Sequence, residues 1–236
     1  MSVMAILAAA GIAFILLSDG TESGDGDAWS WDYAGVSYSV EFRISEEDCG
    51  AAHPDGGERI PLGDSGSKLE QFRDAAVPAG SCIDALADTL SLVYAGTDAS
   101  SPEFLGYVLE FIRQNIAYSD DLNLYGMPDW IAYPEETLLN RAGDCEDMAI
   151  LFTSLACRLG YSCGMALFDG HVIAMVSLDD YSPPDDWVIA SYHVSDDGRT
   201  YYACDPTAAS GCPVGCNDVT DYSNDKILAF LAFNGS

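Results

Sequence analysis

The chain has 236 residues, with 38 Asp and Glu against 9 Lys and Arg, for a formal charge of −29 at pH 7. No basic surface is available to replace phosphate counterions, which excludes a nucleic-acid binder. A content of 49% hydrophobic and 11% aromatic residues excludes a disordered chain.

The acids are mostly Asp (27), and Lys68 and Lys226 are the only lysines. Such self-repulsion suits high salt, where the Debye length falls to about 3 Å at 1 M. An acidic cell-surface protein in ordinary salt remains an alternative. So do calcium-binding carboxylates at pairs such as Asp179-Asp180, although no segment has EF-hand spacing. A core of this size is self-sufficient, so the eight cysteines are not needed to staple a miniature scaffold.

Val3 to Leu17 is an uncharged run of fifteen residues, about 22 Å long as a helix. Residues 1–18 therefore read as an N-terminal hydrophobic helix, either a transmembrane anchor or a signal segment, without a basic n-region or clear cleavage site. Both readings place the domain outside the cytoplasm, at the cell surface or secreted. Residues 19–34, with Ser18 to Ala28 the most polar stretch, read as an acidic Gly/Ser linker, and 35–236 as one domain.

Within that domain, Val36, Tyr38, Val40, Phe42 and Ile44 alternate with polar residues and predict a half-buried strand. Ser45 to Ser67 reads as loop. Ile83, Leu86, Ala87, Leu90 and Val93 predict a helix capped by Ser81. A second helix follows Ser100 or Ser101, with Pro102 in its first turn and Phe104, Val108, Phe111 and Ile112 on its apolar face. Asp120 to Trp130 reads as loop. From Cys145 a helix buries Met148, Phe152, Leu155 and Leu159 on one face and ends at Gly160. Ser162 to Phe168 and Val172 to Leu178 predict strands, and Trp187 to Val194 with Thr200 to Cys204 a hairpin. Helices precede an antiparallel sheet, so the fold class is α+β.

A thiol in the first turn of a helix meets unpaired N–H groups and the positive dipole end. It still needs a base, and an acceptor to orient that base. His171 lies 26 residues after Cys145 and Asp205 a further 34, at strand ends. The acidic neighbours Asp144, Glu146 and Asp147 oppose thiolate formation, so the site must rely on the histidine. A disulfide partner or inert thiol, a turn histidine and a plain strand-end carboxylate are the competing readings, with His53 and His193 as rival bases.

PEETLLNRAGDCEDMAILFTSLACRLGY, then GHVIAMV and YYACDPT, resembles the transglutaminase-like cysteine peptidase superfamily, in particular its bacterial and archaeal branch with a GDCED-type motif. The resemblance spans about Phe104 to Thr207. It implies a papain-like or transglutaminase-like core, with the nucleophile at the N-terminus of a central helix packed on an antiparallel sheet. It also implies a catalytic triad of Cys145, His171 and Asp205, and thioester chemistry on the amides of a protein or peptide substrate. The outcome would be hydrolysis or acyl transfer, with no cofactor and no metal. For the oxyanion, the Cys145 N–H would be joined by Gln114, in FIRQNIAY, or by Trp130 or Tyr125, although Gln114 also reads as a helix-surface residue. The alternatives are a non-catalytic cell-surface binding or structural module, as part of a cell-envelope assembly, and a glycopeptide amidase.

An extracellular domain should oxidise most of its thiols. With Cys145 and Cys157 free, six cysteines remain, and Cys49–Cys82, Cys163–Cys204 and Cys212–Cys216 are the expected bridges. Zinc at Cys212 and Cys216 lacks two further ligands.

Overall fold

The structure is a computed structural model that describes residues 5–9, 12–16, 28–52, 59–77, 80–96, 98, 101–184, 187, 189–190, 192–195, 198–217 and 223–234. His53 and the turn at Asp196-Asp197 lie outside the described residues. The expected N-terminal hydrophobic helix is not shown: the described parts of that run are the short strands β1 (Ala5–Ala9) and β2 (Ile12–Leu16). Among the described residues no single helix is long and apolar enough to cross a membrane.

Strands β3 (Ala28–Tyr33) and β4 (Val36–Glu41) form a hairpin across Ala34-Gly35, both with positive φ (50° and 79°). That geometry matches the twist of an antiparallel pair. Strand β3 falls where composition suggested linker. Trp29 and Trp31 override that composition, because both are buried against the next domain layer. With β1 and β2 the sheet order is β1-β2-β4-β3.

One helix, and the first three residues of a second, occupy ground expected to be loop. Helix α1 (Glu46–Ala52) is followed by α2 (Ser65–Ala76), whose cap Asp64 accepts a hydrogen bond from Ser67 N at 2.9 Å. Leu69 and Phe72 bury its inner face, a spacing the Gly- and Asp-rich flank obscures. Helix α3 (Ser81–Val93) forms as expected, but Gly80 is its N-cap rather than Ser81. Helix α4 (Pro102–Asn115) has Ser101 as a true cap, with its hydroxyl accepting from Phe104 N at 3.2 Å. Its Tyr107 and Phe111 rings meet Trp31 at 5.3 and 5.1 Å, and Tyr107 meets Tyr38 at 4.8 Å. This aromatic seam fastens the N-terminal hairpin to the core.

Strand β5 (Ala117–Tyr118), the single turn α5 (Asp121–Leu124) and helix α6 (Pro134–Asn140) lead to β6 (Ala142–Gly143), which pairs in parallel with β5. Helix α7 (Cys145–Arg158) then runs through the centre of the molecule. Its residues Cys145 to Ala156 are all buried, not one face alone, because α2, α3, α4, α6 and the sheet surround it. Gly160 (φ 90°) closes it.

Strands β7 (Ser162–Phe168) and β8 (His171–Ser177) turn across Asp169-Gly170. Strand β9 (Ile189–Ala190) pairs with β12, while β10 (Tyr192–Val194) pairs with β11 (Thr200–Cys204), so the expected hairpin is split between two sheets. Strands β12 (Cys216–Asn217) and β13 (Ala229–Asn234) complete the chain. The main sheet is antiparallel throughout, in the order β10-β11-β8-β7-β13. The architecture is α+β, as expected.

No disulfide joins any of the eight cysteines, so none of the three expected bridges is formed. For Cys163 and Cys204 the reason is topological: β8 lies between their strands. Two strand spacings, about 9–10 Å, exceed the Cα separation a disulfide spans.

Candidate active site

Cys145 sits in the first turn of α7 after the extended cap Asp144. Gly143 just before it is required by packing, since a Cβ there would lie 2.7 Å from Asp147 Cβ. His171 is the first residue of β8, placed by the two-residue turn in which Gly170 takes φ 72°. Strand β11 runs antiparallel to β8, with Cys204 opposite Ala174, and so delivers Asp205 toward the His171 end of β8.

There His171 Nε2 and Asp205 Oδ2 are 2.9 Å apart, both residues buried. Cys145 and His171 line one cavity of about 530 Å³, together with Lys68, Tyr118, Asp129, Glu146 and Val172. A second cavity of about 450 Å³ holds His171, Asp205, Arg113 and Thr207, and the two share Tyr118, Gly170 and His171.

Burial opposes the charge on Asp205. The hydrogen bond and charge of His171, with two hydrogen bonds from Thr207, outweigh it and hold the carboxyl below its usual range. The Cys145 thiol is the reverse case. Burial pushes it far up, and the adjacent Glu146 carboxylate, which accepts its hydrogen at 3.0 Å, adds to that; the Val172 backbone N–H opposes weakly. The resting Cys145 side chain is therefore a thiol, and helix-end polarity alone does not ionise it.

Beside the thiol lies a dense acidic group. Burial, followed by neighbouring carboxylates, raises Asp144 to about 9, and burial also dominates in raising Asp147 to about 8 and Asp121 to about 6. Asp121 and Asp147 each give one oxygen to a backbone N–H, of Trp130 at 2.6 Å and Ala132 at 2.8 Å. Asp121 Oδ1, Asp144 Oδ1 and Asp147 Oδ2 are buried without a hydrogen-bond partner. These three carboxyls bring oxygens within 4.8 Å of one another, an all-oxygen set that fits a hard cation such as Ca²⁺.

The expected side-chain oxyanion donors have other neighbours. Gln114 is held against β3, donating to Asp32 O and accepting from Asp32 N, both at 2.9 Å. Trp130 is covered by the Arg59 guanidinium at 4.7 Å, and the Tyr125 hydroxyl accepts from Asn140 at 3.2 Å. None of the three lines either cavity. The Cys145 backbone N–H, at the start of α7, is the expected donor that remains.

Sequence reasoning missed the groups that hold Asp205. From α4, the buried Arg113 donates to Asp205 O at 2.6 Å and Cys212 O at 2.9 Å. Arg113 pairs with Glu110 at 2.9 Å, and Glu110 also accepts from Ser210 Oγ and Gly211 N. From β12, Asn217 donates to Asp205 Oδ2 at 3.3 Å. No local motif marks these residues, although the opposite charges Glu110 and Arg113 at i, i+3, flanking the apolar Phe111 and Ile112, were a readable signal.

No family model matches the chain, and no curated protein matches it. Among solved structures it is similar to a candidate cysteine protease from Cytophaga hutchinsonii, at 14% identity over 75% of this chain and 55% of that one, with a TM-score of 0.38. The chain thus spans about half the length of that protein.

Proposed function

We propose that this protein is a cysteine-dependent amide hydrolase or acyl transferase with a transglutaminase-like core, working through Cys145, His171 and Asp205. The observation that carries the reading is the buried His171–Asp205 contact of 2.9 Å beside a cavity that also holds Cys145. An anionic Asp205 accepts from Nε2–H, which leaves Nδ1 of the neutral ring as the base. As Cys145 Sγ attacks the carbonyl carbon, its proton passes to His171 and the carbonyl oxygen gains charge opposite the Cys145 N–H. The C–N bond then breaks and His171 returns the proton to the leaving amine. Water, or a second amine, attacks the thioester and frees the thiol.

Because the resting thiol is protonated, transfer to His171 accompanies attack instead of preceding it. The test is peptide-library turnover by the full chain, with and without an added primary amine. Amine incorporation marks a transferase, new termini mark a hydrolase, and neither, with no labelling of Cys145 by a thiol-directed peptide probe, refutes the reading.

A further inference from the structure

Asp205 is gripped on both oxygens. Oδ1 accepts from Thr207 N at 2.8 Å and Thr207 Oγ1 at 2.7 Å; Oδ2 accepts from Asn217 Nδ2 at 3.3 Å and lies 2.9 Å from His171 Nε2. A carboxylate offers about four acceptor sites, so these contacts use all of them. Asn217 is fully buried, and its place is set by the pairing of β12 with β9, not by the loop that follows Asp205. Cys212 and Cys216 pack with Ala208 beneath that loop, and Arg113 fixes its backbone at Asp205 and Cys212.

We propose that Asn217 is a positioning residue for the site, filling one side of Asp205 Oδ2 so that the remaining side can only receive the imidazole Nε2–H. The inference rests on the roles given above to Cys145, His171 and Asp205. An acceptor-only carboxylate with one open lobe admits a single ring orientation and a single neutral tautomer, with the proton on Nε2 and the lone pair on Nδ1. Without the Asn217 N–H, Oδ2 has a free lobe, the carboxylate can rotate, and the tautomer is no longer dictated.

The test is a ¹⁵N titration of histidine-labelled full chain, with the His171 signal assigned by loss in His171→Gln. The wild type should show the Nε2–H tautomer. In Asn217→Leu we expect mixed tautomers, a midpoint moved by about one pH unit, and kcat lower by roughly 10–100-fold with KM little changed. Asn217→Asp keeps the shape but sets a carboxylate against Asp205, and should also move the midpoint if the Leu chain does not fold. An unchanged tautomer and midpoint in the folded variants overturns the proposal, even if activity falls. Turnover surviving in Cys145→Ala would instead refute the catalytic reading, since the titration does not depend on it.

Discussion

Burial first, and then the Glu146 and Asp144 carboxylates, hold Cys145 as a thiol despite its place at a helix start. Replacing it with Ala should abolish turnover, by about 10³-fold or more, without lowering the melting temperature appreciably. Asp205→Asn should leave a measurable remnant, down about 10²–10⁴-fold, because the amide still bonds the ring but favours the wrong tautomer. Equal kcat/KM values for these variants and wild type would remove the mechanism. The acidic residues beside the thiol make a separate prediction. Asp144, Asp147 and Asp121 have folded pKa values of about 9, 8 and 6, all above the usual value of about 3.9 for an unfolded aspartate. Their protonated forms are favoured by folding, so the stability they contribute is complete below pH 4 and is lost as pH rises toward 9. Melting temperature should therefore fall between pH 5 and 9. Asp147→Asn, which keeps the acceptor for Ala132 N, should flatten that slope, and millimolar Ca²⁺ should raise the high-pH melting temperature until EDTA is added. A slope unchanged in both cases would refute this account of the group.

At the scale of elements, α4 works from a distance. Its Glu110–Arg113 pair is buried, with both side chains about 5% exposed, and it ties α4 to four points of the segment after β11. Removing one partner of a buried ion pair typically costs about 3–5 kcal/mol, because the other charge is left uncompensated. Arg113→Met should show that loss in urea denaturation and should also lower turnover, since the backbone of Asp205 loses its anchor. A variant as stable as wild type would show that the pair is not the anchor. Most of these elements were legible. Ser101-Pro102 announced α4, Gly160 announced the end of α7, and alternation from Val36 announced β4. Helix α2 and strands β3 and β13 were not: the apolar residues of α2 and β3 sit beside Gly- and Asp-rich stretches, and β13 is an unbroken apolar run with no alternation to mark a strand. Packing on α4 holds β3 and antiparallel pairing with β7 holds β13, both partners being distant in sequence.

For the whole molecule the charge dominates. Arg59, Arg73, Arg113 and Arg158 pair with Glu136, Asp74, Glu110 and Asp84, and nine basic residues cannot balance 38 acidic ones. Repulsion among the excess carboxylates is long-ranged at low ionic strength and screened at high. Melting temperature should rise as NaCl is taken from 0.05 to 2 M, and a flat or falling curve would refute the high-salt reading.

The sequence by itself determined the net charge and the α+β class, because helix-end position, turn residues and strand alternation are local properties, and its motifs singled out Cys145, His171 and Asp205 as candidates. Only the tertiary structure decided that Gln114 bonds Asp32 and that Arg59 covers the Trp130 ring, that Cys163 and Cys204 are held apart by β8, and that Arg113 and Asn217 grip Asp205. Those outcomes depend on strand order and on contacts between residues 12 to 99 positions apart, which no local pattern encodes. The protonated state of Cys145 belongs with them: burial dictates it, and burial is a property of the assembled fold.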